Sequence, residues 1–183
     1  MKLSPRFRVN DWQKLAFADE DDWSTAIDIV QDRVEGRFIK WIDRMISEEF
    51  AGFAIVALDC LFLETLYGFQ FGSTTDGPKV YKVILTAPPF EFSKSLAKSF
   101  YWNVRHGVIH DTETRKGWLI RMTPQKSIAE SDASGNYILN RTMFHDGLKV
   151  VFAAWVTKLR SGDTILRQNM RQRMNEIIQR HSP

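Results

Sequence analysis

The sequence predicts an all-α protein, a bundle of roughly five helices with a small β-hairpin insertion. Apolar residues recur at three- and four-residue spacing over most of the chain, which is the period of a helix. Two short stretches of strand-like composition, 118–122 and 137–140, interrupt that pattern. With 183 residues, 44% hydrophobic and 26% charged, the chain has the size and composition of one globular domain.

We therefore expect a single domain over 1–183. Its helical core covers about 23–160, and the β insertion lies within it at about 118–140. A basic C-terminal helix follows at about 164–180. No internal repeat divides the chain further.

The first long helix is predicted from Trp23 to Ser47. The acidic run 19–22 precedes it, and acids there interact favourably with the positive end of a helix and cap its free amides. One apolar stripe at helical spacing is expected to face the core: Ile27, Val30, Val34, Phe38, Trp41 and Met45.

The second helix, from Phe50 to about Phe69, is apolar on nearly every side. Its length suits a membrane span, but Asp59 and Glu64 lie inside it, and a carboxylate in a span is costly. A central core helix explains it better, and the two acids then need partners or a cleft. The N-terminus lacks the apolar run of a signal peptide, so we expect a cytoplasmic protein with no membrane partner.

The middle of the chain is predicted to alternate between short elements. Residues 72–78 have loop composition, 80–85 suit a short strand, and a third helix is expected from about Pro89 to Val104. The strand-like stretches 118–122 and 137–140 are expected to pair as an antiparallel hairpin with a long connection.

Two further helices are predicted from the spacing of apolar residues, one over about 141–159 and the last over about 164–180. Ser161, Gly162 and Asp163 separate them. Arg141 and His145 lie four residues apart on one face, and we interpret them as a surface pair.

Several classes of site are disfavoured. The one cysteine, Cys60, forms no intramolecular disulfide, and one cysteine with four histidines lacks zinc-ligand spacing. Phosphate loops, dinucleotide fingerprints and the HExxH and GxSxG motifs are missing. We therefore expect neither a metal nor a cofactor.

The densest group of reactive side chains lies between Asn103 and Asp111, at the end of the third predicted helix. RNA can be cut without metal when its 2′-hydroxyl attacks the adjacent phosphorus. That reaction needs a proton carrier near neutral pH, for which histidine is suited, and a fixed cation on the phosphate, for which arginine is suited. Arg105 and His110 provide one of each, and Gly107 between them allows a bend.

The segment Arg105–His110 resembles the signature of the HEPN superfamily, helical domains found in many prokaryotic defence and toxin ribonucleases. That signature is an arginine and a histidine separated by a few residues, with a polar residue after the arginine, here His106. The resemblance implies a helical bundle that dimerises to place two motifs in one cleft. It also implies RNA cleavage without metal that leaves a cyclic phosphate end.

By that resemblance, Arg105 stabilises phosphate, His110 transfers protons and His106 supports them. Asp111 and Glu64 are further candidates for supporting residues, because carboxylates often orient such groups. Candidate RNA contacts on the last helix are Arg167, Arg171 and Arg173. The expected partners are a second copy of the chain, RNA, and a protein partner or antitoxin.

Other interpretations stay open. Arg105 and His110 could form a structural cluster, with His110 near Asp111 and Arg105 holding Glu64 or Asp59. The protein would then be a non-catalytic helical module that binds RNA or another protein, or an ordinary structural or oligomerisation domain.

Overall fold

The computed structural model describes residues 1–72 and 77–180 of the chain. It confirms the helical class, since 66% of the protein is helical and a single small sheet is inserted. The count of five helices was too low, because seven continuous helices lie in the described ranges. The additional helices lie at Val9–Gln13, which precedes the first predicted helix, and at Gly77–Leu85, where the sequence suggested loop and extended chain.

The N-terminal half consists of three helices that precede the first gap in the description. The second of them is continuous from Glu20 to Met45 but contains one wide turn, so it is described in three parts. In chain order the elements are α1 (Val9–Gln13), α2 (Glu20–Val34), the first π segment (Glu35–Ile39), α3 (Lys40–Met45) and α4 (Gly52–Phe71). As expected from the acidic run, the Asp19 carboxylate caps α2 by accepting from the Asp22 amide.

Helix α4 is the centre of the core and packs against helices on several sides. By length and hydropathy the stretch Glu49–Phe71 passes as a membrane span, but half of its most apolar window is buried in the protein. Asp59 is fully buried within α4, and Glu64 lies partly exposed one turn and a half further along. Both acids have partners, as expected for acids in a core helix.

Residues 80–85 are helical, so the predicted short strand was wrong. They belong to α5 (Gly77–Leu85), which follows the gap at 73–76. Four of its residues, Val80, Tyr81, Ile84 and Leu85, are buried at helical spacing against the core. Tertiary packing therefore outweighs the strand preference of this β-branched stretch. Most of the predicted loop at 72–78 lies outside the described residues.

The third predicted helix begins later and runs further than expected. The Ser93 hydroxyl caps α6 (Lys94–Phe100), which continues through a second π segment (Tyr101–Arg105) into α7 (His106–Asp111). Gly107 lies inside α7. A Cβ at that position would collide with the Glu113 carbonyl oxygen, so the glycine lets the following loop approach α7 closely.

The sheet has three strands in the order β1 (Trp118–Arg121), β3 (Tyr137–Asn140), β2 (Ala129–Ser131). The predicted antiparallel pairing of the first and last strands was wrong, because β1 and β3 are parallel. Between them in the chain lies β2, which the prediction lacked and which forms the antiparallel pair with β3. A turn joins β2 to β3, held by the Asp132 carboxylate, which accepts from the amides of Ser134 and Asn136.

The last two helices match their predicted bounds. They are α8 (Arg141–Arg160) and α9 (Thr164–Gln179), each capped by a side chain at its N-terminus. The predicted surface pair on α8 was wrong, because Arg141 is 2% and His145 1% exposed. The Arg141 guanidinium instead donates to backbone carbonyls that follow α3, those of Ile46, Glu48 and Glu49.

Candidate nucleic-acid interface

Five arginines from distant parts of the chain line one cleft, which we call the arginine cleft. They are Arg33, Arg37, Arg105, Arg173 and Arg180, and the cleft has a volume of about 530 Å³. Residues of α4 also line it, among them Leu61, Glu64 and Phe69. The cleft therefore lies over the central helix.

Both π segments supply an arginine to this cleft. Arg37 lies in the first π segment and Arg105 in the second, and each segment interrupts an otherwise α-helical stretch. A π turn widens the helix by one residue and shifts the side chains that follow around its axis, and such turns occur often at functional sites. Neither turn is indicated by the residue pattern, because both occur inside stretches of good helical spacing.

Arg105 is held in the cleft wall by Glu64. Its Nε donates to Glu64 Oε1 at 3.0 Å, and the Tyr81 hydroxyl donates to the same oxygen at 3.0 Å. Partial burial disfavours the charged guanidinium, but the hydrogen bond and charge of Glu64 outweigh it and raise the pKa of Arg105. The guanidinium thus stays charged and oriented while 20% of its side chain is exposed.

A row of three rings lies along the same helix, and we call it the ring ladder: Trp102, His106 and His110. Trp102 stacks on His106 with 4.8 Å between ring centroids, and His106 lies 4.9 Å from His110. Trp102 is 44% exposed and His110 is also exposed. Burial and the charges of His110 and Arg105 lower the pKa of His106, which favours its neutral form.

The arginine cleft and the ring ladder meet at Tyr101. The Arg105 guanidinium carbon lies 5.8 Å from the Tyr101 ring centroid. The same ring contacts Trp102 at 4.9 Å and His106 at 5.3 Å, measured between centroids. A cationic surface and a surface of stackable rings are therefore continuous.

Arg105 and His110 lie on different sides of their helix. Residues 106–111 are α-helical, and positions five apart on an α-helix point about 140° apart. Arg105 lines the arginine cleft, whereas His110 belongs to the ring ladder and is not among the cleft residues. Within one chain the two side chains do not converge on one point.

Asp111 and Arg167 are engaged in structural contacts. Asp111 pairs with Arg115 on the surface and not with His110. Arg167 is 6% exposed, donates from Nε to the Leu159 carbonyl at 2.8 Å and forms a two-pronged pair with Glu20. Its buried position and its pairing with Glu20 favour a structural role for Arg167 over contact with RNA.

The other two candidates on α9 face different surroundings. Arg173 lines the arginine cleft and pairs with Glu176 at 2.9 Å. Arg171 is exposed, and its guanidinium stacks over Phe17 with 4.2 Å to the ring centroid. Of the three predicted RNA contacts, Arg173 alone lies beside Arg105.

The structure also contains a buried acid–histidine pair that sequence reasoning missed. Asp59 Oδ1 lies 2.8 Å from His145 Nδ1, and Asp43 lies 3.3 Å from the other ring nitrogen. Burial raises the pKa of Asp59 to about 6, although the hydrogen bond from His145 opposes the shift. Asp59 was recognised as an acid in need of a partner, but the interpretation of His145 as a surface residue concealed the pairing.

Among residues 1–72 and 77–180 there is no group of three or more histidine, cysteine, aspartate or glutamate side chains arranged to hold a metal ion. Cys60 is fully buried, and burial raises the pKa of its thiol far above the usual range. An inert core thiol is the role that this environment supports.

Comparisons with known protein families, with curated proteins and with solved structures find no match to this chain. The case for a function therefore depends on the chemistry of the described residues, above all on the arginine cleft and the ring ladder that adjoins it.

Proposed function

We propose that this protein is a metal-independent endoribonuclease of the HEPN type, acting as a homodimer on RNA. In the proposed reaction a base takes the proton of a 2′-hydroxyl, whose oxygen attacks the adjacent phosphorus. The bond to the 5′ oxygen breaks, that oxygen is protonated, and a cyclic phosphate remains. Arg105 would stabilise the charge on the phosphate, and His110 would transfer protons with support from His106.

The observation that supports this proposal is the continuity of the arginine cleft with the ring ladder. One helix carries Arg105, which is charged and partly exposed, followed by His106 at the next position and His110 five positions on, two imidazoles that contact each other. Phosphate-binding and proton-transferring groups thus flank the same helix. Arginine for phosphate and histidine for proton transfer are the roles that the resemblance to the HEPN signature implies.

A dimer is part of the proposal for a geometric reason. Because positions five apart on an α-helix point about 140° apart, a single chain does not direct both Arg105 and His110 at one phosphate. A two-fold symmetric pair could bring Arg105 of one chain near His110 of the other. We propose a cytoplasmic defence or toxin role, in which a protein partner or antitoxin would control the enzyme.

The test is cleavage of a labelled RNA in excess EDTA by the purified protein and by Arg105→Ala and His110→Ala. Each variant should lose about a hundredfold or more of the cleavage rate, with unchanged circular dichroism and mass by light scattering. Arg121→Ala, which removes an exposed arginine outside the cleft, is the matched control and should cut normally. Equal cutting by all four proteins would refute the assignment of these residues.

A non-catalytic RNA-binding module is the second candidate. It is favoured by the ordinary structural pairing of Arg105 with Glu64 and by the divergence of Arg105 from His110. This candidate predicts RNA binding that weakens steeply with salt, together with no cleavage under any of the conditions above. Binding that is insensitive to salt would count against phosphate contact.

A further inference from the structure

The arginine cleft has more positive charge than its own acids neutralise. Within the described residues, Glu64 is the one acid that lines the cleft, and it is already paired with Arg105. Glu176, which is not one of the residues lining the cleft, pairs with Arg173. The remaining cleft arginines, Arg33, Arg37 and Arg180, have no carboxylate within 4 Å in the described part of the chain.

Burial and the crowding of positive charge in the cleft lower the pKa of Arg33. Burial and repulsion from Arg37 and Arg173 lower the pKa of Arg33 to about 10, and burial lowers that of Arg37 as well. Their protein partner is the backbone carbonyl of Leu3, 2.6 Å from Arg33 Nη1 and 3.4 Å from Arg37 Nη2. Each guanidinium has five N–H donors, so most of their donors are left for another acceptor.

The shape of the cleft suits a bound anion of defined size. Its volume of about 530 Å³ is in the range of small-molecule sites, and apolar residues such as Phe38 and Ile177 lie among the arginines. Guanidinium forks match phosphate oxygens in pairs, which makes arginine the usual residue for phosphate recognition. Three arginines that form no ion pair within the described residues can contact more than one phosphate at once.

We infer that the arginine cleft is a binding site for adjacent phosphate groups, held chiefly by Arg33, Arg37 and Arg180. The ligand is either a stretch of polynucleotide backbone or a free nucleoside polyphosphate, which present the same chemistry. The inference extends the proposed function and depends on it only for the polynucleotide source. Binding in the cleft requires neither His110 nor cleavage.

The experiment measures binding of two probes by calorimetry. One probe is a single-stranded RNA octamer with 2′-O-methyl sugars, which lacks the attacking hydroxyl, and the other is adenosine triphosphate without added metal. The variant is Arg33→Gln with Arg37→Gln. The matched control, Arg121→Gln with Lys126→Gln, removes the same charge from exposed positions in the β insertion that do not line the cleft.

We expect at least one probe to bind the wild type, and the cleft variant to bind it about tenfold more weakly or worse. The control should stay within about twofold, and the cleft variant should also show a shallower salt dependence, by about one phosphate contact per lost arginine. Tight binding of the octamer alone identifies polynucleotide as the ligand. Tight binding of adenosine triphosphate alone identifies a free nucleotide.

Three results would overturn the inference: no binding of either probe, unchanged binding by the cleft variant, or an equal loss in the control. Because Arg33 also holds the Leu3 carbonyl, Arg180→Gln is a second cleft variant that disturbs no described contact of the N-terminal segment. It should weaken the same probe about threefold or more, and unchanged binding would likewise contradict the inference. Loss of cleavage in His110→Ala with retained octamer binding would separate this site from the proposed catalytic one.

Discussion

Glu64 and Arg105 form an ion pair in the wall of the arginine cleft, with 3.0 Å between Oε1 and Nε. The pair lies between the central helix and the second π segment, so it fixes the position of the arginine that the proposed reaction needs. It also places one negative charge in a cleft that would otherwise be lined only by cations among its described charged residues.

Glu64→Gln should therefore strengthen RNA binding, by about two- to fivefold at low salt, because it removes a charge that repels phosphate. The amide oxygen still accepts from Arg105 and Tyr81, so the loss of unfolding free energy should be about 1 kcal/mol or less. Fluorescence anisotropy with the 2′-O-methyl octamer measures binding, and urea unfolding measures stability. Weaker binding by the variant would show instead that the carboxylate charge is needed to hold Arg105.

Arg167→Ala should lower the free energy of unfolding by about 1–3 kcal/mol, because it removes the guanidinium hydrogen bond to the Leu159 carbonyl and the packing of a buried side chain. RNA affinity should stay within about twofold of wild type, since Arg167 is buried and paired with Glu20. Arg167→Lys keeps the charge but cannot form both hydrogen bonds to Glu20. Its stability should lie between that of the wild type and that of Arg167→Ala. Wild-type stability combined with a large loss of RNA binding would reverse this assignment.

The helices that the sequence predicted well are those with an uninterrupted stripe and a clear cap. The last two helices were predicted at 141–159 and 164–180 and are found at Arg141–Arg160 and Thr164–Gln179. The prediction of a strand at 80–85 was wrong because the β-branched residues there suit a strand, whereas the buried positions follow a helical period. The predicted strand pairing was wrong because its direction depends on a third strand with little hydrophobic pattern, Ala129–Ser131.

The candidate site was only partly predictable. The motif Arg105–His110 and its link to Glu64 could be proposed from local spacing and from the need of a buried acid for a partner. The arginine cleft could not, because its arginines come from three separate regions of the chain that only tertiary packing brings together. The sequence feature that came nearest to indicating the cleft is the pair Arg33 and Arg37, four residues apart on one helical face.

Asp59→Asn should change how stability depends on pH. The pKa of Asp59 is about 6 in the folded protein and about 3.9 in an unfolded chain, so the folded state holds its proton more tightly. That contribution is present in full below about pH 4 and is lost as the pH rises through 6. The wild type should thus lose about 3 kcal/mol relative to Asp59→Asn between pH 4 and 7.

Urea unfolding of both proteins at several pH values measures this difference directly. The matched control is Asp146→Asn, an exposed acid that pairs with Lys149 beside the same cluster, and it should show no comparable trend. Parallel stability curves for wild type and Asp59→Asn would mean that the buried carboxylate is not perturbed as its surroundings indicate.

Trp102→Ala should weaken binding of single-stranded RNA about five- to a hundredfold, because base stacking on an exposed ring contributes about 1–3 kcal/mol per base. Double-stranded RNA, whose bases are already stacked on each other, should lose less than about twofold. Trp41→Ala is the matched control, since Trp41 is 49% exposed but lies on α3, away from the ring ladder. Binding is followed by anisotropy of a labelled octamer and an equally long duplex. An equal loss with both nucleic acids, or with both tryptophan variants, would show that the ring ladder does not stack bases and that its contacts serve the packing of α6 and α7.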